Sequence, residues 1–156
     1  MVQPTIIANC GEGETGKSDS IKQVYVKLCK IYGKDPGLLD KDICETIEIN
    51  NTLIGIASDG DTLKIVEKNL KELTQQDCPI ILTACRSNHD MIAFLKSYAA
   101  EHEYRLWRTS NARLYEEATH PRIAPKGILD RFNDQWAEEI ANLIESWCYA
   151  GKEELE

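Results

Sequence analysis

The glycine-rich stretch at residues 11–18, which reads GEGETGKS, lies between two segments of different periodicity. Residues 5–10 form an apolar run and predict a buried strand. After the stretch, apolar residues recur at spacings of three and four up to Gly33, which predicts an amphipathic helix that ends there. A strand that leads through a glycine-rich turn into a helix favours a layered α/β fold. The helical stripe consists of Ile21, Val24, Tyr25, Leu28, Ile31 and Tyr32.

The residue types of this stretch suit the binding of phosphate groups. Glycines allow backbone N–H groups to turn toward phosphate oxygens, and the following helix adds its positive dipole end. Lys17 would neutralise the β and γ phosphates of a nucleotide, and the Ser18 hydroxyl would bind Mg²⁺. Glu12 and Glu14 would repel phosphate, so we expect their carboxylates to point to solvent. The candidate binding residues are Gly11, Gly13, Glu14, Thr15, Gly16, Lys17, Ser18 and Asp19.

Length and composition indicate one globular domain. The chain has 156 residues, of which 42% are apolar and 28% charged, and we place the domain at residues 1–150. We expect residues 151–156 to form a frayed acidic end. The net charge of −8 argues against a broad nucleic-acid surface or a face for anionic membranes. With neither a signal peptide nor a bilayer-spanning run in the sequence, we expect a cytoplasmic protein.

Cysteine and histidine positions give no pattern of a metal site. The six cysteines occur singly at apolar positions, without a C-x-x-C pair or the spacing of a zinc site. We therefore expect reduced and mostly buried thiols. The three histidines have no partner four residues away. These residues are Cys10, Cys29, Cys44, Cys78, Cys85, Cys148, His89, His102 and His120.

Further along the chain, strand and helix patterns alternate. Residues 43–49 and 53–57 read as two strands, and the Asn50-Asn51 pair between them predicts a tight antiparallel hairpin. Thr62 can cap the next helix. The remaining segments are a helix with Leu63, Val66, Leu70 and Leu73 inward, a buried strand at 79–84, a helix at 88–102, a strand at 104–107, a lid or long loop with a helical fragment at 109–127, and a helix with Phe132, Trp136, Ile140, Leu143, Ile144 and Trp147 on one face.

This order of segments predicts a three-layer α/β fold. We expect about five mainly parallel strands with helices on both faces, and one strand made antiparallel by the hairpin. In such sheets ligands bind at the carboxyl ends of the strands. The ends to consider are therefore Cys10, Ala57 and Ala84, each followed by a polar or glycine-containing turn.

A phosphate-binding loop that works with magnesium needs a carboxylate at the end of a neighbouring strand. Asp59 and Asp61 both follow the apolar strand that ends at Ala57, and the sequence leaves the choice between them open. The alternative is a solvated turn that leads into the cap of the next helix. Arg86 could stabilise phosphoryl transfer or could be an ordinary surface arginine. The candidate catalytic residues are Lys17, Asp59, Asp61 and Arg86, and the candidate metal-binding residues are Ser18, Asp59 and Asp61.

Several arginines surround the segment predicted as a lid. Arg105, Arg108, Arg113 and Arg122 could be cations of a lid that closes over phosphate, or solvated surface charges. Alternation along a strand would place Arg105 and Arg108 on opposite faces.

The chain resembles the P-loop NTPase superfamily, and more narrowly small bacterial ATP-binding proteins of unassigned function. The resemblance rests on residues 11–18, residues 55–61 and residues 78–86. It implies binding of a nucleotide and Mg²⁺ without naming a substrate. The hairpin also resembles that of small GTPases, which read guanine with an N-K-x-D motif. Here the corresponding residues 108–111 offer no carboxylate, so we expect ATP rather than GTP.

We therefore expect a magnesium-dependent ATP-binding protein with slow ATPase activity. Nucleoside or nucleotide kinases are the first alternative, because they share the loop and an arginine-bearing lid, although we find no Asp-Arg pair after the strand that ends at Ala57. The second alternative is an interaction module in which bound nucleotide orders residues 58–62 for a protein partner.

Overall fold

The computed structural model of the protein describes residues 2–11, 16–111, 115–116, 122–123 and 126–150. In these residues a five-stranded sheet and four helices form an α/β fold, which confirms the predicted class. The elements in chain order are β1 (Thr5–Cys10), α1 (Lys17–Tyr32), β2 (Cys44–Ile49), β3 (Thr52–Ala57), α2 (Leu63–Gln75), β4 (Ile80–Cys85), α3 (His89–Glu101), β5 (Arg105–Thr109), β6 (Tyr115–Glu116), β7 (Arg122–Ile123) and α4 (Lys126–Tyr149).

The sheet has the strand order β2-β3-β4-β1-β5. The pairs β3–β4, β4–β1 and β1–β5 are parallel, and β2 is antiparallel to β3. The predicted hairpin is confirmed: Asn50 and Asn51 adopt φ values of 49° and 63°, the left-handed conformation that asparagine tolerates in tight turns. Strand β1 lies between β4 and β5, and all six of its residues are buried. The chain thus passes from the interior of the sheet directly into the glycine-rich stretch.

Each face of the sheet has its own apolar core. Helices α1 and α4 cover one face, where Val24 and Ile144 pack with Ile7 of β1. Helices α2 and α3 cover the other face, where Leu70 and Leu95 pack with Ile6. Successive residues of β1 therefore face opposite cores, as strand geometry requires. This arrangement gives the three layers that the alternating segments predicted.

Local signals mark the ends of the helices. Helix α1 ends at Gly33, whose φ of 72° is left-handed. The Thr62 hydroxyl accepts a hydrogen bond from the Ile65 N–H at 3.2 Å, which confirms the predicted cap of α2. Asn88 caps α3 in the same way through the Met91 N–H at 2.9 Å.

The inner face of α4 differs from the predicted stripe. Phe132 is 44% exposed, whereas Ala137 and Ala141 are buried against the same core as α1. Small residues at these positions allow the two helices to approach closely. None of the helices in the described residues combines the length and the apolar character needed to cross a membrane.

The segment predicted as a lid contains strands in its described parts. Strands β6 and β7 pair antiparallel as a separate two-stranded ribbon, with Tyr115 opposite Ile123. The expected helical fragment is not found in these four residues; the rest of residues 112–125 lies outside the described part of the chain.

The expectation of six reduced thiols is wrong for Cys10 and Cys85. The parallel register of β1 and β4 places these two residues side by side, with a Cα–Cα distance of 4.7 Å, and their sulfurs form a disulfide. The other four cysteines are free. Burial raises the pKa of Cys78 and of Cys148 to about 11, so both thiols stay protonated at neutral pH.

Counting thiols tests this pairing. Alkylation of the unfolded, unreduced protein should label four cysteines, and prior reduction should raise the number to six, because only the thiol form reacts. Intact-mass spectrometry counts the added groups. Six labels without reduction would show that Cys10 and Cys85 are not bonded.

Candidate functional site

The carboxyl ends of β1, β3 and β4 lie along one edge of the sheet. The Gly11 N–H, directly after β1, donates to the Cys85 carbonyl at the end of β4 at 3.1 Å. Strand β3, which leads to Asp59 and Asp61, lies beyond β4 and does not neighbour β1. The expectation that these aspartates follow a neighbour of β1 is therefore wrong, because β4 separates the two strands.

Helix α1 begins beside this edge, since Lys17 in its first turn reaches the Gly11 carbonyl. Gly16 precedes it with a φ of 79°, and a Cβ there would come within 2.5 Å of the Asn133 side chain. Among the described residues, no side chain caps the helix at Gly16, in contrast to the caps of α2 and α3. Uncapped N–H groups and the positive dipole end favour an anion at this point.

The Lys17 side chain adds a positive charge at the same place. It is buried, with 6% of its surface exposed, and its Nζ donates to the Gly11 carbonyl at 3.2 Å. The structure thus brings Gly11, Gly16 and Lys17 together, as the sequence predicted. Asp19 lies exposed in the first turn of α1. Gly13, Glu14 and Thr15, which the sequence also suggested, lie outside the described residues.

Ser18 contacts a carboxylate that the sequence did not single out. Its hydroxyl donates to Asp42 Oδ1 at 2.6 Å, and the Ser58 hydroxyl donates to the same oxygen at 2.8 Å. Ser58 is also tied to the backbone before β2, because its N–H donates to the Ile43 carbonyl at 2.9 Å. Asp42 precedes β2 within a polar connection, so no periodicity or motif marked it.

Asp59 and Asp61 have other partners. The Asp61 N–H donates to Asp59 Oδ1 at 3.1 Å, which makes a local turn, and Arg86 pairs with Asp61 Oδ1 at 3.2 Å. Within the described residues, neither aspartate is hydrogen-bonded to Ser18. The Arg86 and Asp61 side chains are 37% and 62% exposed, so their ion pair contributes at most about 1 kcal/mol.

The loop that carries these aspartates is pressed against the end of β4. Gly60 is buried, and a Cβ at this position would overlap the backbone of Ala84 and Cys85. This close backbone contact explains why a glycine stands between the two aspartates.

A network of buried amides supports the site from behind. Asn111, which follows β5, accepts a hydrogen bond from Asn9 at 2.6 Å and donates to Ser20 and Asn133 at 2.5 Å each. All four residues are buried. The network links β1, α1 and α4 to the end of β5. The Asn111 carboxamide thus makes three hydrogen bonds within the protein.

The predicted lid arginines are only partly accounted for. Arg105 lies at the amino end of the sheet, where its Nε donates to the Thr5 hydroxyl at 3.2 Å. Its guanidinium carbon lies 5.0 Å from the ring centroid of Trp107. A role for Arg105 as a lid cation is wrong, because β5 runs parallel to β1 and begins at the end away from the glycine-rich stretch. Arg108 is exposed; Arg113 and the side chain of Arg122 lie outside the described residues.

The oxygen atoms near the start of α1 have the chemistry that Mg²⁺ prefers. The Ser18 hydroxyl and the Asp42 carboxylate are hard oxygen donors, and Mg²⁺ sites commonly combine one or two carboxylates with phosphate oxygens and water. In the described part of the chain, no three His, Cys, Asp or Glu side chains form a metal-binding group.

A groove of about 880 Å³ lies at the opposite end of the strands, bordered by Asn51, Thr74, Cys78 and Tyr104. It does not adjoin the start of α1. In parallel sheets ligands bind at the carboxyl ends of the strands, so we place the candidate site at the start of α1 and not in this groove.

Comparison with known proteins does not assign the chain to a family. No protein-family profile matches the sequence. The searches of curated proteins and of solved structures likewise find no significant match.

Replacing Gly60 with alanine tests the contact at the end of β4. We expect Gly60→Ala to lower the free energy of unfolding by about 1–3 kcal/mol, because the added methyl group displaces buried backbone. Gly127→Ala is the control, since a Cβ there meets no atom of the described residues within 4 Å. Urea unfolding of the two variants measures the difference. Equal stabilities would contradict the close packing of Gly60.

Proposed function

We propose that the protein binds ATP with Mg²⁺ and hydrolyses it slowly. The observation that carries the proposal is the position of Lys17 and Ser18 at the start of α1, where no side chain of the described residues caps the helix and where Lys17 reaches Gly11 at the carboxyl end of β1. A helix N-terminus and a buried ammonium group there both favour an anion. The resemblance of residues 11–18 to the P-loop motif supports a nucleotide phosphate as that anion.

Each residue of the site has a distinct part in the proposal. Lys17 would exchange its bond to the Gly11 carbonyl for bonds to phosphate oxygens, which makes a charge-assisted contact. The Ser18 hydroxyl would hold Mg²⁺ together with phosphate oxygens and water, and the metal would supply neutralisation of phosphate charge. Asp59 and Asp61 remain candidates for orienting metal-bound water from the loop after β3.

Adenine is favoured over guanine by the surroundings of β5. Guanine recognition needs a carboxylate for the base edge, and residues 108–111 contain none. The Asn111 amide is used within the buried network, and the Thr109 hydroxyl accepts a bond from the Trp136 indole at 3.0 Å. Both side chains thus already have partners inside the protein, and neither is a carboxylate that could pair with the guanine edge.

The ion pair between Arg86 and Asp61 favours slow hydrolysis over efficient transfer. Rapid phosphoryl transfer needs a cation that is already aimed at the charge developing on the phosphate. Arg86 is partly exposed and pairs with Asp61, so it must break this contact before it can act. A kinase-like phosphotransferase is the alternative, with the acceptor as the missing component.

Phosphate binding by Lys17 can be tested by removing its charge. Lys17→Ala should weaken ATP binding by at least about 2 kcal/mol, or about 30-fold in Kd, because a charge-assisted contact is lost. Isothermal titration calorimetry in the presence of Mg²⁺ measures the change.

A matched control is available on the same helix. Lys30 lies exposed in the last turn of α1, so Lys30→Ala removes an equal charge at the far end. It should leave the Kd for ATP nearly unchanged. Unchanged affinity in Lys17→Ala as well would sink the proposal.

The products of ATP turnover separate hydrolysis from transfer. Incubation with γ-labelled ATP should release free phosphate slowly, and common nucleosides or nucleoside monophosphates should not accelerate it, because the sequence lacks an acceptor motif. Chromatography of the labelled products decides the question. A labelled acceptor that forms faster than free phosphate would favour the kinase alternative.

A further inference from the structure

We infer that the Asp42 carboxylate, rather than Asp59 or Asp61, positions the Ser18 hydroxyl for Mg²⁺ and gives nucleotide binding its dependence on the metal. The inference rests on the proposed function, because it concerns the metal that accompanies ATP at the start of α1. It assigns a positioning residue from a part of the chain that no sequence motif marked.

Asp42 has a fixed location beside Ser18. Asp42 Oδ1 accepts hydrogen bonds from the Ser18 and Ser58 hydroxyls at 2.6 Å and 2.8 Å. Ser58 is itself held on both sides, because the Ile43 N–H donates to its hydroxyl at 2.8 Å and its own N–H donates to the Ile43 carbonyl at 2.9 Å. Ser58 is 1% exposed. The Ile43–Ser58 pair thus extends the β2–β3 hairpin by one residue on each strand, and Ser58 in turn holds the Asp42 carboxylate.

The Ser18 hydroxyl proton has a defined direction. A hydroxyl group has one donor and two acceptor lone pairs, and here the donor is directed at Asp42. The lone pairs of Ser18 Oγ are then left for a cation. Within the described residues both hydrogen bonds of the Asp42 carboxylate fall on Oδ1. The Oδ2 atom can therefore bind the metal or one of its water molecules.

Asp42 differs in its hydrogen-bond partners from the two aspartates after β3. The Asp59 carboxylate closes the local turn by accepting the Asp61 N–H, and the Asp61 carboxylate pairs with Arg86. The Asp59 carboxylate is thus engaged within its own loop and the Asp61 carboxylate with Arg86 after β4, and within the described residues neither contacts Ser18. Asp42 is the carboxylate that the described structure joins directly to Ser18.

The charge of Asp42 gives the inference a specific signature. With Mg²⁺ present, the carboxylate supports the metal, so its removal should weaken binding of ATP. With the metal removed, the same negative charge opposes the phosphates, so its removal should leave binding equal or make it tighter. A carboxylate with a purely structural role would affect both conditions alike.

Calorimetry with saturating Mg²⁺ and with EDTA tests this signature. For each protein we take the ratio of the Kd for ATP in EDTA to the Kd for ATP in Mg²⁺, and we compare the ratio of Asp42→Asn with that of the wild-type chain. We expect this ratio to fall by at least about 10-fold in the variant, as is usual when a residue that orients a metal ligand is lost. Asp42→Glu, which restores the carboxylate, should recover part of the ratio. Asp40→Asn removes the charge of an exposed neighbour and should leave the ratio unchanged.

Three outcomes would overturn the inference. If Asp42→Asn keeps the wild-type ratio while Asp59→Asn or Asp61→Asn loses it, the metal is governed by the loop after β3, and the proposed function stands. If the Kd changes equally with and without Mg²⁺, Asp42 is only structural. If the wild-type chain binds no ATP in either condition, the proposed function fails as well. Should Asp42→Asn not fold, Ser58→Ala releases the anchored oxygen and is expected to lower the same ratio.

Discussion

The parallel pairing of β1 with β4 is the constraint on which the rest of the site depends. It aligns the two strands so that Cys10 lies beside Cys85 and the Gly11 N–H meets the Cys85 carbonyl. The same strand end receives the backbone of Gly60, with no space for a side chain. Three chain segments that are far apart in sequence therefore meet at one edge. Without this register, the glycine-rich stretch would have no neighbour to complete a binding site.

Local chemistry made much of the fold predictable from the sequence. The Asn50-Asn51 turn, the Thr62 cap and the end of α1 at Gly33 each depend on a few adjacent residues, so sequence alone indicated them. The order of the strands could not be read this way, because it depends on packing between distant segments. The prediction that the aspartates follow a neighbour of β1 failed for this reason. The disulfide likewise depends on the strand register and not on any local cysteine pattern.

In the candidate site, too, the residues fixed by a local motif were predictable, and the residue placed by distant packing was not. Lys17 and Ser18 were predicted because the motif places them within a few residues of the glycines. Asp42 was missed because its relation to Ser18 is created by the hairpin, through the bonds between Ser58 and Ile43. In the sequence, the apolar strand that ends at Ala57 indicates Asp59 and Asp61 instead. In three dimensions the connection before β2 returns to the start of α1, where Asp42 accepts a hydrogen bond from Ser18.

The position of β1 between β4 and β5 also determines when this edge can form during folding. Its contacts reach Cys85, 75 residues later, and Arg105, whose side chain bonds Thr5 across 100 residues. Pairings of such sequence separation form slowly, because a long chain segment must be ordered before they contribute stability. The β2–β3 hairpin can form early, since its strands are adjacent, but β1 keeps unpaired edges until β4 and β5 have been synthesised. The first strand of the chain is thus among the last to be completed, and its open edges are exposed to mispairing on the ribosome in the meantime.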